Sequence, residues 1–592
     1  MTELYLNNSR VYPDSQLNIK LTRENPYFTD SDSYTLDVTL PMDILQNRLA
    51  LGNLQRMDCS KQVRSMAARL VVDNKTVLNG SAIVTEVSER DVKVQLLQGY
   101  PSLKLLMKES DDFIDEIDMG TGIDPNVNRH VPRSASFKAQ GVNGQHVYLP
   151  IYNETTDKIM NKYHYDIASG DAVYSNTVGQ DLAAVQPNLL FVLRKVLQHY
   201  GFTLDAGVYD AEPWNSIYVA SCKATRKLCK ALPHWRSSDF FNEVANLFCA
   251  RFVVSDAEKK VSLVTMKDYF SADAVVISPI DEYKADIEEN AEKQDLLSSN
   301  IRYAVSDSIF HEWDIIPQEV VRACQPIAFD TYVEMAESDE ASPHHNNIMV
   351  CPDGWFAYWE RTNETTTPPC RRNKGFKREQ INQFGALVRD ESDDDSVELK
   401  ICPSAMTDRQ HLGDSIYPYY IYVHMPSKSE YAYVAESIED MTAQERIENA
   451  TEASNENEQS SADLMEVFFF DNTLTPTEYQ NDSIPHDYEI VLPMAFTDAW
   501  MFMTGNGYHS YWSFALDRCN PTVMDFVGKL HKGTVTFNTK ARHAFKFLSD
   551  QMPDPTRVYI IRGKRYGCEK IEANITADGL DRLMTGYFYE ML

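Results

Sequence analysis

The first hundred residues alternate apolar and polar side chains, and no other feature constrains the fold as strongly. The segments 17–22 and 35–40 each carry an apolar residue at every second position. Because successive side chains of a strand point to opposite faces, this period of two predicts strands with one buried face. Pro41 ends the second strand, since proline has no N–H to give to a ladder.

A meander is predicted to follow. Residues 68–72 read as a strand, 73–75 as a turn, and 83–87 and 92–96 as further strands. Asn79-Gly80 is the sharpest hairpin signal in the chain, because both central positions of such a turn need a positive φ. The sequence therefore predicts a hairpin at Asn79-Gly80.

A helix is predicted over 187–200, where apolar residues recur at three- and four-residue spacing. Pro187 lies near its start and Gly201 just beyond its end, which is the asymmetry that helices favour.

A second helix is predicted over about 238–250, followed by a hairpin that runs to Thr265. Ser237, Ser238 and Asp239 are the candidate N-cap residues, because their side-chain oxygens can accept from free backbone N–H groups. Together the two helices and the hairpin predict an α+β unit.

The chain is predicted to end in strands at 534–537, 558–561, 568–574 and 586–589, with a turn at 563–564. We therefore expect an α+β, β-rich protein. The predicted domains are an N-terminal β-rich domain (1–100), an irregular excursion (101–180), an α+β helix–hairpin domain (181–270), a mixed β and loop domain (271–435), an acidic polar linker or loop (436–463) and a C-terminal β-rich domain (464–592).

The charge excludes several classes of partner. Lys and Arg total 56 against 87 Asp and Glu, which gives a formal net charge of −31. Proteins that hold nucleic acid or anionic membranes do so with clustered Lys and Arg. The apolar runs are too short to span a bilayer, and the ten cysteines form no CxxC. We expect reduced thiols, a chain made in a cytoplasm, and no membrane anchor.

No catalytic motif is present: the chain has no GxSxG, no HExxH and no phosphate loop. Gly505-Asn506-Gly507 reads as a turn. His344 and His345, with Cys351 beyond, could serve a metal, and the acidic run 390–395 could serve calcium, but a solvated loop is the preferred interpretation of both. Carboxylates are too numerous for an acid–base pair to stand out. The sequence predicts no catalytic residue, no metal and no cofactor.

Two aromatic clusters are the candidate contact residues. Sugar rings stack on exposed aromatic side chains, so the clusters could bind a glycan, but protein cores and interfaces use aromatic residues most, and we favour core or interface. The candidates are Trp355, Tyr358, Trp359, Tyr511 and Trp512.

Three stretches together resemble a known family. They are Ile19–Phe28 with the strand after it, Ala68–Leu97, and Val558–Tyr589, and the two helical segments of 187–265 look similar as well. The combination resembles large structural proteins of tailed phages and prophages that are taken to be baseplate hub or tail-tip proteins.

The resemblance implies a fold and a role. Such a hub is a ring of β-barrel-like tube domains that continues the tail tube and conducts DNA. The N- and C-terminal strands would build these domains, with the helix–hairpin unit inserted between them. Three copies with two similar barrels each would match a sixfold tube, and an acidic lumen would repel phosphates.

The implied partners are other tail proteins (tail tube, distal tail, tape measure, and tail spike or fibre) and further copies in a homotrimer, with DNA passing without specific binding. The protein would be part of the virion, assembled in the host cytoplasm, and not an enzyme. Two alternatives stay open: a glycan- or receptor-binding tail protein that uses the aromatic clusters and, more weakly, a cell-wall hydrolase.

Overall fold

A computed structural model describes most of the first three hundred residues, parts of the centre, and the end of the chain. The described residues are 2–14, 18–28, 33–35, 38–58, 65–99, 103–104, 106–107, 110, 112–122, 130–131, 144–149, 151–153, 158–161, 163–166, 171–174, 184–221, 223, 225–270, 273–287, 300–304, 325–337, 347–350, 355–361, 370–372, 376–377, 387, 396–407, 423–425, 464–471, 494–496, 512–514, 516, 527–532 and 537–592.

Strands dominate this structure and helices are few, which confirms the β-rich α+β class. The strands are β1 (Thr2–Leu6), β2 (Ser9–Val11), β3 (Asn18–Glu24), β4 (Ser33–Thr35), β5 (Val38–Pro41), β6 (Met66–Val72), β7 (Lys75–Val87), β8 (Asp91–Gln98), β9 (His130–Val131), β10 (His146–Val147), β11 (Ile151–Asn153), β12 (Lys158–Met160), β13 (Tyr163–Asp166), β14 (Asp171–Tyr174), β15 (Gln186–Pro187), β16 (Thr203–Asp205), β17 (Ile217–Val219), β18 (Ala250–Ser255), β19 (Lys260–Thr265), β20 (Val275–Val276), β21 (Ile280–Asp286), β22 (Asn300–Tyr303), β23 (Gln325–Ala328), β24 (Asn347–Val350), β25 (Trp355–Arg361), β26 (Cys370–Arg372), β27 (Phe376–Lys377), β28 (Ser396–Leu399), β29 (Ile401–Pro403), β30 (Ala405–Thr407), β31 (Val423–Met425), β32 (Met465–Asp471), β33 (Met494–Phe496), β34 (Phe537–Leu548), β35 (Val558–Ile561), β36 (Lys564–Thr576), β37 (Gly579–Leu580) and β38 (Leu583–Met591). The α-helices are Leu45–Ala50, Leu189–His199, Ser237–Leu247, Met266–Tyr269, Tyr332–Glu337 and Val527–Lys532, and short 3₁₀ helices span Gly207–Asp210, Trp214–Ser216 and Cys229–Ala231.

A sheet of fifteen strands joins the two ends of the chain. Its main path runs β2-β1-β6-β7-β8-β4-β3-β36-β38-β34-β21. The two halves meet where β3 lies antiparallel to β36, in register from Asn18 opposite Thr576 to Glu24 opposite Lys570. One apolar core, which includes Leu21 and Phe588, lies beneath strands from both halves.

The sheet is an open path in the part of the chain that the structure describes, and it ends at β2 and β21 rather than closing on itself. A closed barrel is therefore not seen among these residues. The predicted strands at 17–22, 68–72, 558–561, 568–574 and 586–589 are confirmed, whereas most of the predicted strand 534–537 lies outside the described residues and β34 begins at Phe537.

The hairpin predicted at Asn79-Gly80 is wrong. Both residues lie inside β7, and the chain turns earlier, at Asp73 and Asn74, whose φ angles are +51° and +62°. Gly80 serves a close approach instead, because a Cβ there would lie 2.1 Å from the carbonyl oxygen of Leu97 on β8.

The first predicted helix is confirmed as Leu189–His199. Its N-cap is Asn188, whose side chain accepts from the N–H of Phe191, so Pro187 precedes the cap. Gly201 follows the end with a φ of +80°, as the sequence predicts.

The second predicted helix is found as Ser237–Leu247, but its predicted cap is wrong. The N-cap position is Arg236, which makes no side-chain cap. Ser237 instead donates from Oγ to the carbonyl oxygen of Asp112 at 3.0 Å, which ties the helix start to that segment. The predicted hairpin forms from β18 and β19, and β16 adds a parallel strand.

Segments from the centre of the chain complete the core of this helix–hairpin unit. Strand β32 pairs with β17 and β29, and Phe468, Phe469 and Phe470 are fully buried among the helices. The α+β unit is thus assembled from sequence that extends well beyond residue 270.

Candidate interaction face

The large sheet has one apolar side and one side covered by charged residues, which we call the polar face. Strand β3 shows how the sequence creates it. Ile19 and Leu21 are buried in the core, while Lys20 and Glu24 alternate with them and so lie on the opposite side.

Glu572 is the centre of the polar face. Its carboxylate lies 2.9 Å from Lys20 Nζ, across the junction between the two halves of the sheet, and 3.1 Å from Lys570 Nζ. Burial raises the pKa of Glu572, but the two ammonium groups lower it by more, so the net shift is downward. This carboxylate therefore holds the N- and C-terminal halves together in its charged form.

Arg542 forms the most buried ion pair of the face. Its Nε lies 2.6 Å from Glu569 Oε2, and Glu569 is almost completely buried. The guanidinium also covers the ring of Tyr587 at 4.3 Å, while Lys570 approaches the same ring at 5.1 Å. The aromatic ring and the carboxylate together leave Arg542 little freedom.

Similar pairs continue toward both ends of the sheet. They are Glu3 with Arg10 (3.1 Å), Glu86 with Lys93 (2.5 Å), Asp286 with Lys284 (2.6 Å), and Glu282 with Lys546. Arg69 covers the ring of Tyr5 at 4.7 Å.

Acids and bases on the polar face are therefore matched, although the whole chain carries a formal charge of −31. An acidic wall is not what this face presents. The lysines and arginines named in these pairs are held by carboxylates or aromatic rings, which limits their attraction to phosphates in a different way.

Part of the polar face is covered by the helix–hairpin unit through an aromatic cluster, which we call the aromatic joint. Tyr27 lies 4.6 Å from Phe270, and Phe28 lies 5.0 Å from Phe537, measured between ring centroids. A Cβ at Gly567 would lie 2.4 Å from the Phe537 ring, so the close approach needs glycine. The joint sets how the inserted unit sits on the sheet.

Asn25 anchors the turn that presents this joint. Its Nδ2 donates to the carbonyl oxygens of Pro555 (2.9 Å) and Cys568 (2.8 Å), and its Oδ1 accepts from the N–H of Tyr27. Arg251 of the hairpin then donates from Nε to the carbonyl oxygen of Pro26 at 3.2 Å. The turn is thus fixed to both bodies.

A second polar contact holds residues 112–116 on the helix–hairpin unit. His234 Nδ1 lies 2.9 Å from Asp115 Oδ1, and the imidazole stacks on Phe113 at 3.8 Å. The hydrogen bond to Asp115 raises the pKa of His234, against the opposing effect of burial. Burial raises the pKa of Asp115, but His234 and Lys230 lower it by more. No pattern in the sequence predicts this pair.

The predicted aromatic contact residues fall in separate places. Trp355, Tyr358 and Trp359 lie in β25, which pairs with β24, β26 and β27. Trp512 is partly buried against the core of the helix–hairpin unit, with its ring 5.9 Å from that of Phe469. Tyr511 lies outside the described residues.

Other predicted features also lie outside the described residues: the histidines at 344 and 345 with Cys351, the acidic run 390–395, the linker 436–463 and the turn 505–507. Within the ranges given above, no three His, Cys, Asp or Glu side chains are grouped as a metal site would need. The described helices include none long and apolar enough to cross a bilayer.

Comparison with solved structures gives distant likenesses. No protein-family model matches the chain, and no curated protein matches it. Among solved structures, the 43 kDa tail protein of prophage MuSo2 from Shewanella oneidensis aligns with a TM-score of 0.31 at 6% identity, over 99% of this chain and 97% of that one. A tail protein from Neisseria meningitidis MC58 aligns with a TM-score of 0.25 at 6% identity, over 100% of this chain and 95% of that one. At these TM-scores the likeness carries no argument.

Proposed function

We propose that this chain is a structural protein of a phage tail, a hub or tail-tip component that forms a ring, continues the tail tube and conducts DNA. One observation carries the proposal. The third of the stretches that resemble tail-hub proteins begins at Val558, 461 positions after the second ends at Leu97, yet β3, β6–β8 and β35–β38 belong to one sheet. The residues behind the resemblance thus form one structural body, as a tube domain requires.

The sheet suits a ring because it has two different ends. An open sheet leaves edges that must be covered or paired. If the β21 end of one copy meets the β2 end of the next, the contact is heterologous, and such contacts close into a ring when the rotation returns to its start. A homotrimer closed in this way would supply a barrel-like wall, which the described residues of one chain do not close by themselves.

The polar face is the proposed lining of the channel. DNA is held by free lysine and arginine side chains that displace counterions from phosphates. On this face Lys20 and Lys570 are bound to Glu572, and Lys93 is bound to Glu86. A lining of paired charges would let DNA slide without being held.

The role is structural rather than catalytic, within the virion, and the partners are the neighbouring tail proteins: tail tube, distal tail, tape measure, and spike or fibre. The test of position is mass spectrometry of purified particles combined with antibody labelling of the tail tip. Absence of the chain from particles would contradict the proposal.

The test of the lining is a gel-shift assay with duplex DNA at low salt. The wild-type chain should not shift DNA, whereas the triple variant Glu86→Gln, Glu282→Gln, Glu572→Gln should do so, and added salt should abolish the shift. The matched control replaces three exposed glutamates away from these pairs, Glu89, Glu116 and Glu258, with Gln. An equal shift by the control would mean that net charge alone matters.

A second candidate function is glycan or receptor contact through β25. Three of its seven residues are Trp or Tyr, a composition typical of contact surfaces. A glycan array with wild type and Trp355→Ala tests it, with Trp512→Ala as a packing control, since Trp512 packs on the core. Binding that is lost only in the Trp355 variant would support this candidate.

A further inference from the structure

We propose that an apolar patch at the β2 end of the sheet docks on the edge strand β21 of a second copy of this chain. The inference deepens the proposed ring, on which it rests, by assigning the two surfaces that meet. It depends on where large apolar side chains remain exposed at the two ends of the large sheet and in the helix beside β2.

The first surface, which we call the helix-end patch, consists of Leu45 and Leu49 on the helix Leu45–Ala50, with Tyr12, whose backbone is hydrogen-bonded to Asn47 of that helix. Leu45 and Leu49 are four residues apart on one helix, so they share a face. Leu45 is 55% exposed and Leu49 is 70% exposed. Side chains of this size seldom cluster on a surface unless something covers them.

The patch is held rigidly at the end of the sheet. Asn47, which is fully buried, donates from Nδ2 to the carbonyl oxygens of Tyr12 and Pro41, both at 2.8 Å. Its Oδ1 accepts from the N–H of Tyr12 at 2.8 Å. The helix therefore cannot turn its leucines inward without breaking these three hydrogen bonds.

The second surface is the edge segment 280–287. In the part of the chain that the structure describes, β21 has a neighbouring strand, β34, on one side only. Tyr283 is half exposed, with its ring stacked 5.0 Å from Phe545, and Ile287 is 80% exposed. The stacking fixes the tyrosine where a partner could pack on it.

Charge favours a contact between unlike ends. Arg48 lies in the helix between the exposed leucines, and Asp281 precedes the exposed tyrosine of the edge segment. Joining the helix-end patch of one copy to the edge segment of the next brings apolar side chains into contact. It also places the positive Arg48 opposite the negative Asp281. Two helix-end patches placed together would instead set Arg48 against Arg48. The same chain therefore provides both halves of a head-to-tail contact.

The experiment measures the mass of the purified full-length chain by light scattering after gel filtration. Wild type should be a trimer, and Leu49→Asp, Arg48→Glu and Asp281→Arg should each shift it toward monomer by at least tenfold in dissociation constant. The double variant Arg48→Glu, Asp281→Arg should recover the trimer. Circular dichroism of each variant checks that the fold is intact.

The outcomes separate the two proposals. If Leu49→Asp remains a trimer, or if the double variant forms no more trimer than the single variants, the assignment of these two surfaces is wrong. The proposal that the chain forms a ring is unaffected by that result. A wild-type chain that stays monomeric at all concentrations and in particles overturns both.

Discussion

Arg542 donates two hydrogen bonds to the carboxylate of Glu569, from Nε to Oε2 at 2.6 Å and from Nη2 to Oε1 at 3.2 Å. The carboxylate is nearly inaccessible to water and lies beside the aromatic joint. A charge buried at this depth needs its partner, so the pair ties β34 to β36 across the intervening strand β38.

Replacing Arg542 should therefore lower the stability of the fold. Arg542→Met should lower the free energy of unfolding by about 3 kcal/mol, because Glu569 loses its buried cation. The double variant Arg542→Met, Glu569→Gln should recover much of the loss. The urea midpoint, followed by fluorescence, measures both. Lys564→Met, which breaks an exposed pair with Glu590, is the control and should leave the midpoint nearly unchanged.

Removal of the Asn25 side chain should loosen the aromatic joint. Asn25→Ala leaves two buried carbonyl oxygens and one N–H without this partner, at roughly 1–3 kcal/mol for each group left unsatisfied. We expect a lower unfolding midpoint and faster proteolysis near the joint. Asn574→Ala, on an exposed position of β36, is the matched control. Equal behaviour of the two variants would contradict the role given to Asn25.

Gly80→Ala should disturb the contact between β7 and β8. The added methyl would meet the carbonyl oxygen of Leu97, which is backbone and cannot move aside. We expect a loss of about 1–3 kcal/mol, as for other overpacked sites. Hydrogen exchange of β8 amides should rise in this variant, whereas Thr76→Ala, at an exposed position of the same strand, should leave it unchanged.

The His234–Asp115 contact should weaken both at high pH, where His234 loses its proton, and at low pH, where Asp115 gains one. The pKa of His234 is raised, so its contribution is complete below the ordinary histidine value and is lost as the pH rises through the raised value. The pKa of Asp115 is lowered, so its contribution is present above the ordinary carboxyl value and is lost as the pH falls through the lowered value. The contact should be strongest between about pH 4 and 6.5.

Histidine hydrogen–deuterium exchange, read by mass spectrometry, measures this pKa. Asp115→Asn should bring the pKa of His234 below its ordinary value, because burial then acts without the carboxylate. Glu116→Gln, whose charge acts only at a distance, should change it much less. An unchanged pKa in Asp115→Asn would show that the pair does not form.

Local patterns in the sequence predict much of this fold. Apolar and polar residues alternate around Leu21, and apolar residues recur at three- and four-residue spacing in 189–199. Both patterns involve only residues that are close in sequence, so they identify the strand and the helix. Asn79-Gly80 predicts a turn that does not form. Glycine is needed at position 80 because the backbone of Leu97, on another strand, lies too close for a side chain. Turn preference alone cannot reveal such an approach.

The polar face could be predicted only in part. Lys20 and Glu24, or Lys570 and Glu572, stand out as charges on otherwise apolar strands. Their pairing depends on the register of β3 against β36, which joins residues more than five hundred positions apart. No local pattern encodes that register, and so the sequence could not reveal the matched charges of the face.

Electron cryo-microscopy of the purified full-length chain tests the central claim most directly. The account predicts class averages of a threefold ring with an open axial channel wide enough for duplex DNA, and a sheet wall whose inner side carries Lys20, Glu572 and Lys570. Single chains, or closed particles without a channel, would contradict it.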